Sequence, residues 1–180
     1  MQDEGDLVRR ASQGDQQAFA RLYEAHFNRV YRYVVVRIGD KAEAEDMTQQ
    51  VFLNALRSIS SFNWKGTPVA AWLYRIAHNQ VVDYLRKKGK QMVTPLDESP
   101  VSQGGSLELV VEQKIDSEQI LAATHRLSQA QQEVISLRFA SELSIAEVAS
   151  IMGKSQGAVK ALQHSAIVAL RQILVAGNNE

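Results

Sequence analysis

The chain has 180 residues, enough for one ordinary domain or two small ones, and 45% of them are hydrophobic and 22% charged. Its 3 prolines and 10 glycines are too few for a disordered or low-complexity chain and are typical of a helical protein. The absence of cysteine excludes a disulfide scaffold, a thiolate zinc site and a cysteine nucleophile. No apolar run of about 18 residues and no apolar N-terminal segment occurs, so we predict a cytoplasmic protein with neither a membrane span nor a secretory signal.

The net charge of zero conceals an uneven distribution of charge along the chain. Residues 1–90 carry 14 basic and 10 acidic side chains, residues 91–127 carry 2 and 6, and residues 128–180 carry 4 of each. The basic excess is concentrated in residues 75–90, where five cations face one aspartate. Such a patch indicates binding of phosphate or of an acidic protein surface, although a solvated helix end also favours cations.

Helical periodicity extends from Asp6 to about Arg86, with apolar residues recurring at intervals of three and four. Gly39 interrupts it, and Asp40 with Glu43 predicts a capping box at the start of the next helix. That helix has an apolar stripe that includes Phe52, Leu56 and Ile59 on its buried side.

An aromatic, polar loop is predicted at residues 60–66, before a third long helix. Thr67 followed by Pro68 predicts the N-cap and the first residue of that helix. Among its large apolar side chains, we expect Trp72, Ile76 and Leu73 to form the buried stripe.

Residues 91–106 contain two of the three prolines, a pair of glycines and an acidic balance, which indicates a flexible linker. We therefore predict an all-α protein with a first helical domain at 5–90, an acidic flexible linker at 91–114 and a second small helical domain at 115–176.

Three short helices are predicted in the second domain from their caps. Ser128 with Gln131, and Ser144 with Glu147, form capping boxes, and Ser155 caps the last helix. A helix-turn-helix is predicted from the spacing of apolar and small residues around one glycine, namely Val148, Ala149, Met152, Gly153, Val159 and Leu162. An ordinary pair of antiparallel helices is the alternative.

No constellation of catalytic or metal-binding residues is visible in the sequence. The histidines are dispersed along the chain at His26, His78, His125 and His164. Neither a metal-binding His motif nor a glycine-rich phosphate loop occurs, so we predict no enzyme activity, no cofactor and no metal.

Two segments stand out as binding surfaces. Asp46, Gln49, Gln50 and Leu53 share one predicted helix face with few Lys/Glu pairs, although a plain solvated face is equally compatible with them. The segment from 62 to 90 interleaves aromatic and basic side chains, a combination that suits unpaired nucleic acid. Its candidates for contact are Phe62, Trp64, His78 and Asn79.

Four motifs, in this order and spacing, carry a family resemblance: DMTQQVFLNAL, SFNWKG, AWLYRIAHNQVVDYLRKK, and the pair LSQAQQEVISLRF and ELSIAEVASIMGKSQGAVKAL. Together they resemble the extracytoplasmic-function (ECF) sigma factors of bacterial RNA polymerase. The resemblance covers nearly all of the chain outside the linker and the termini. It implies a specificity subunit that binds core polymerase, recognises the minus-10 and minus-35 promoter elements and promotes DNA melting.

By this resemblance, the residues expected to dock on the clamp of the largest polymerase subunit are Asp46, Gln49, Gln50, Phe52 and Leu53. Those expected to act at the downstream (minus-10) element and in melting are Phe62, Trp64, Lys65, Arg75, His78 and Asn79. Those expected to bind the upstream (minus-35) element are Arg138, Ser155, Gln156, Gly157, Lys160, Ala161 and His164. The resemblance also implies promoter DNA, both duplex and single-stranded, and an anti-sigma factor as partners.

The sequence departs from the family pattern in two places. Gln49-Gln50 stands where relatives commonly have Gln-Glu, so one negative charge is missing. The last helix has Leu162, Ser165 and Ile167 where relatives often have arginine, and we expect weak duplex binding by the second domain alone.

Two other interpretations are a dimeric helix-turn-helix regulator and a pure protein-interaction module. The first would bind a palindromic duplex without polymerase, and the second would bind no DNA.

Overall fold

The computed structural model describes residues 3–63, 67–89 and 117–177, and it divides the chain into two compact units, Met1–Gln91 and Met92–Glu180. All regular elements in these ranges are helices, so the predicted all-α fold with two helical domains is confirmed. The predicted linker at 91–114 lies outside the described residues.

The described residues of the first domain form four helices: α1 (Glu4–Ser12), α2 (Gln16–Ile38), α3 (Lys41–Ser58) and α4 (Val69–Gly89). A single 3-10 turn, Ile59–Ser61, follows α3. Helices α2, α3 and α4 all pack against one another, and α1 packs on α2. In their core the Tyr33 and Tyr74 rings meet edge to face, with centroids 5.8 Å apart.

The predicted break between the second and third helices is confirmed. Helix α2 ends at Gly39, whose φ of 80° belongs to the left-handed region that glycine adopts without strain. Asp40 Oδ1 then accepts from the Glu43 N–H at 3.0 Å and caps α3. Only this half of the predicted capping box forms, because the Glu43 carboxylate instead accepts a hydrogen bond from Tyr84 Oη.

Helix α4 begins one residue later than predicted, and its buried side differs from the prediction. The Pro68 carbonyl accepts from the Trp72 N–H at 3.3 Å, which places Pro68 at the cap rather than inside the helix. Trp72 and Ile76 are only half-buried. Leu73 is buried as predicted, and it shares the buried stripe with Val69, Tyr74, Ala77 and Val81.

The second domain contains α5 (Ser117–His125), α6 (Gln129–Ile135), α7 (Ile145–Met152) and α8 (Gln156–Gly177). A π-helical turn, Ser136–Ala140, follows α6. Helix α5 precedes the three capped helices. One prediction was wrong: the last of the three, α8, is not short but 22 residues long.

All three predicted serine caps of the second domain are confirmed. Ser128 and Ser144 form complete capping boxes with Gln131 and Glu147, and Ser155 Oγ accepts from the Ala158 N–H at 3.1 Å. Capping satisfies backbone N–H groups that a helix start leaves unpaired. These local bonds fix where each helix begins.

The helix-turn-helix is formed by α7 and α8. Gly153 ends α7 with a φ of 64°, and the next N–H, that of Lys154, donates to the Ala149 carbonyl at 3.0 Å. Val148 and Val159 are completely buried where the two helices pack together. The turn brings the N-terminal half of α8 to the surface of the domain.

Candidate nucleic-acid interface

One side of α3 presents a polar stripe bordered by leucines. Asp46, Gln49 and Gln50 are exposed, and Leu53 retains 42% of its accessible surface. Leu56, which the sequence placed on the buried side, is 48% exposed and extends the stripe by one turn. Large apolar side chains beside carboxylate and amide groups are typical of a surface that a protein partner covers.

Phe52 lies beneath this stripe rather than on it. Only 3% of the Phe52 surface is exposed. The centroid of its ring lies 4.9 Å from that of Tyr23 and 5.9 Å from that of Phe27. The prediction that Phe52 belongs to the exposed docking set is therefore corrected: Phe52 anchors α3 to α2 and so supports the surface.

A hydrogen-bonded chain joins the end of α4 to the first turn of α3. Tyr84 Oη donates to the Glu43 carboxylate, and Lys88 Nζ donates to Tyr84 Oη at 3.1 Å. The bond to Glu43 raises the pKa of the Tyr84 hydroxyl, and the bond to Tyr84 raises the pKa of Lys88. These two hydrogen bonds position the exposed basic end of α4, which includes Arg86 and Lys87, beside the start of α3.

The outer side of α4 carries Arg75, Asn79 and His78. Arg75 and Asn79 are exposed and one turn apart, whereas His78 is half-buried. Phe62 is also half-buried, because its ring stacks on Trp72 with centroids 4.5 Å apart. One face of the Phe62 ring is thus already occupied within the domain. Trp64 and Lys65 lie outside the described residues.

The first turns of α8 form an exposed polar surface. Its exposed members are Ser155, Gln156, Gly157, Lys160 and Ala161, while His164 is half-exposed. Val159 and Ala166 lie on the opposite, fully buried side, and Leu162 is half-buried. Ile167 is buried at 7% exposure, so an apolar side chain there packs into the core of the domain.

Arg138 is engaged within the second domain. Its Nε donates to Gln163 Oε1 of α8 at 2.8 Å, and its Nη1 donates to the Leu143 carbonyl just before α7. The guanidinium carbon lies 5.9 Å from the centroid of the Phe139 ring. The role of Gln163 has no signal in the sequence, because its contact with Arg138 joins residues 25 positions apart.

Both domains match models of the same protein superfamily. The model "Sigma-70 region 2" matches residues 22–91, and "Sigma-70, region 4" matches residues 123–172. The chain is 30% identical to the ECF RNA polymerase sigma factor SigW of Bacillus subtilis, over 93% of this chain and 94% of SigW. It is 42% identical to the ECF RNA polymerase sigma factor BldN of Streptomyces coelicolor, over 94% of this chain and 65% of BldN's length.

The chain belongs to the ECF sigma factors. This ECF sigma factor is a promoter-recognising subunit of bacterial RNA polymerase, and its family comprises non-catalytic initiation factors. Family membership decides against a free-standing dimeric regulator and against a pure interaction module. Within the ranges that the structure describes, no helix combines the length and apolar character needed to cross a membrane.

The fold of this ECF sigma factor also resembles that of solved sigma factors. The sigma factor RpoE of Bartonella quintana, solved in complex with the anti-sigma factor NepR, aligns with a TM-score of 0.69 at 23% identity, over 87% of this chain and 96% of RpoE. The region 2 match includes α3 and α4, and the region 4 match includes α6, α7 and most of α8. The candidate surfaces on α3, α4 and α8 thus lie within the sigma regions.

Proposed function

We propose that this sigma factor docks on the clamp of the largest polymerase subunit through the exposed side of α3. The docking surface consists of Asp46, Gln49, Gln50 and Leu53, extended by Leu56. Exposed leucines can be buried in an interface while the carboxylate and amides form hydrogen bonds around them. The exposure of these side chains, at 42% for Leu53 and 48% for Leu56, is the observation that carries this proposal.

The downstream promoter element is bound by α4 and the loop before it. Asn79 offers an amide that can hydrogen-bond the edge of an unpaired base, and Arg75, one turn earlier, offers a cation for the backbone. Phe62 contributes the exposed part of its ring, together with Trp64, Lys65 and His78 from the same segment. The basic end of α4, positioned by Tyr84, attracts the separated strands.

The upstream element is bound by the N-terminal part of α8. Lys160 supplies the one cation among the six residues of this surface. Gly157 has no side chain and therefore permits close approach of the backbone to DNA. The space where a Cβ would stand at this position is open, with Ser155 Oγ the nearest described atom at 4.0 Å. With one cation, this surface contributes few phosphate contacts. Core polymerase therefore supplies most of the affinity of promoter binding.

An anti-sigma factor is the remaining partner that we propose. The solved relative RpoE is held by the anti-sigma factor NepR. An anti-sigma factor that covers the α3 surface would exclude core polymerase from it. The assembly acts in the cytoplasm, where the polymerase transcribes DNA, and RNA synthesis remains the chemistry of the polymerase.

Charge reversal on α3 tests the docking proposal. The double variant Asp46→Arg with Gln50→Arg places two cations in the surface, and repulsion with lost hydrogen bonds should cost a few kcal/mol of binding, about a hundredfold or more in affinity. The measurement is co-purification and titration with core polymerase. A matched control, Gln17→Arg with Glu24→Arg, makes the same change of charge at exposed residues of α2.

We expect the control to bind core as the parent does and the α3 variant to lose binding while keeping its helical circular dichroism. If the α3 variant binds core normally, the docking surface is wrongly placed.

A further inference from the structure

Gln163 lies at the edge of the proposed upstream DNA surface. It is three residues after Lys160 and seven after Gln156, so these side chains emerge close to one another on α8. Like Leu162, Gln163 is half-buried. Gln163 is therefore within reach of the groove that the proposed surface would enter.

Arg138 fixes the orientation of the Gln163 amide. A guanidinium group has five N–H donors and no acceptor, so only the carbonyl oxygen of the amide can face it. Arg138 Nε donates to Gln163 Oε1 at 2.8 Å, and the guanidinium is itself held by the Leu143 carbonyl and the Phe139 ring. The usual ambiguity between the oxygen and nitrogen of a glutamine amide is removed by this donor.

The amide nitrogen of Gln163 consequently points away from Arg138. Within the part of the chain that the structure describes, the hydrogen bond to Arg138 is the one that the Gln163 side chain forms, and Nε2 donates to none of the described groups. An amide with two available N–H groups on a half-buried residue, at the edge of the proposed DNA-binding surface, has the chemistry of a base-recognising residue.

We propose that Gln163 recognises one base of the upstream promoter element as a hydrogen-bond donor, with Arg138 as the residue that positions it. This inference rests on the proposed function of α8. It replaces the sequence-based prediction that Arg138 itself contacts DNA, because two of the Arg138 nitrogens are engaged within the domain.

The fixed orientation predicts which bases are favoured. In the major groove, guanine presents the acceptors N7 and O6, adenine presents the acceptor N7 beside its N6 donor group, and thymine presents the acceptor O4, whereas cytosine presents the N4 donor group alone. The N–H groups of Gln163 can pair with an acceptor on a base. At cytosine they would meet the N4 amino group, which is also a donor. The parent protein should therefore disfavour cytosine at one upstream position by about fivefold to tenfold.

Gln163→Glu provides the sharpest test. The carboxylate keeps an oxygen toward Arg138 but presents an acceptor to the groove in place of the donor, and carboxylates accept from cytosine N4. The experiment is transcription by holoenzyme on promoters whose upstream element is randomised, with sequencing of the transcribed templates. Gln172→Glu, which adds the same charge at an exposed position of α8, is the matched control.

We expect Gln163→Glu to move the preference at that one position toward cytosine, while Gln172→Glu leaves the preference at every position as in the parent. Arg138→Met should reduce discrimination at the same position by releasing the amide, and Arg138→Lys, which retains a donor, should restore part of it. In the Gln163→Ala background, Arg138→Met should cause no further loss of discrimination at that position, since the two substitutions remove the same interaction.

An unchanged preference in Gln163→Glu, or a loss in the double variant that equals the sum of the single losses, would overturn the inference. Lys160→Ala in the same assay separates this failure from failure of the proposed function. If Lys160→Ala weakens promoter use but Gln163→Glu alters no preference, α8 binds DNA without Gln163. If neither variant has an effect, the proposed upstream surface itself is wrong.

Discussion

Arg10 and Asp15 join α1 to the start of α2. Arg10 Nε and Nη2 both donate to Asp15 Oδ2, at 2.9 and 2.6 Å, while Asp15 Oδ1 accepts from the N–H groups of Gln17 and Ala18 at 3.0 and 3.1 Å. The hydrogen bond from Ala18, followed by that from Arg10, lowers the pKa of Asp15. One carboxylate thus acts as a helix cap and as an ion-pair partner, and its ionisation strengthens the cap and is required for the ion pair.

Asp15→Ala should lower the thermal stability of the full chain at neutral pH, because it removes both roles at once. Since the folded-state pKa of Asp15 is below its unfolded value of 3.8, its stabilisation is complete above the unfolded pKa and is lost as pH falls through the folded pKa. The difference in melting temperature between parent and variant should therefore shrink below about pH 4. Circular dichroism melts at several pH values measure it.

Asp15→Asn is the control for the two roles, because asparagine still caps a helix but cannot form the ion pair. Its melting temperature at neutral pH should lie between those of the parent and Asp15→Ala. A parent-to-alanine difference that stays constant down to about pH 3 would show that the ionised carboxylate is not what stabilises this junction.

Tyr84→Phe should loosen the junction between α3 and α4. It removes the hydrogen bond to Glu43 and the acceptor for Lys88, and for such an exposed group we expect a loss of about 0.5–1 kcal/mol in the free energy of unfolding. Because the folded-state pKa of Tyr84 is raised, this contribution persists below the unfolded pKa of 10.0 and is lost as pH rises through the folded pKa. Urea titrations of parent and variant give the difference.

Tyr31→Phe is a suitable control for Tyr84→Phe. Tyr31 is half-buried on α2, and its hydroxyl makes no hydrogen bond to the groups that the structure describes. The same chemical change should therefore leave stability nearly unaltered. Equal effects of the two substitutions would argue against a stabilising role for the Glu43–Tyr84 bond.

Asn79→Ala should reduce open-complex formation while leaving core binding intact. Asn79 is exposed on α4, and a captured base offsets part of the few kcal/mol that unstacking costs. Permanganate footprinting of the promoter together with abortive transcription measures opening. A premelted bubble template should largely restore activity, because the duplex no longer has to be opened.

Two other results would change this assignment. Equal defects on duplex and bubble templates would mean that Asn79 acts in base recognition alone. A defect in core binding would mean that Asn79 supports the domain rather than contacting DNA.

Lys160→Ala should weaken promoter use by about 1–3 kcal/mol if the lysine contacts a base. Whether Lys160 contacts a base or a phosphate, the substitution removes one cation. It should therefore reduce the slope of the logarithm of affinity against the logarithm of salt concentration by about one unit. His164→Ala should instead alter the preferred upstream sequences with little change of slope. Transcription at several salt concentrations distinguishes the two. Parental behaviour of both variants would exclude base recognition by these side chains.

The sequence by itself determined the helical class and the positions of most helix ends. Ser128, Ser144 and Ser155 cap their helices as predicted, and Gly39 and Gly153 end theirs, because capping and left-handed glycines depend on residues within four positions of each other. The motifs that carry the sigma-factor resemblance are likewise local. Family and fold could therefore be inferred before any tertiary contact was known.

Only the tertiary structure decided which sides of the helices remain exposed. Leu56 and Phe52 both belong to the apolar pattern of α3, yet Leu56 is 48% exposed and Phe52 is 3% exposed, because α2 covers one side of the helix and not the other. The bond from Arg138 to Gln163 joins residues 25 positions apart. Helical periodicity gives the angle between side chains on one helix, whereas the neighbour that each side chain meets is set by how the helices pack.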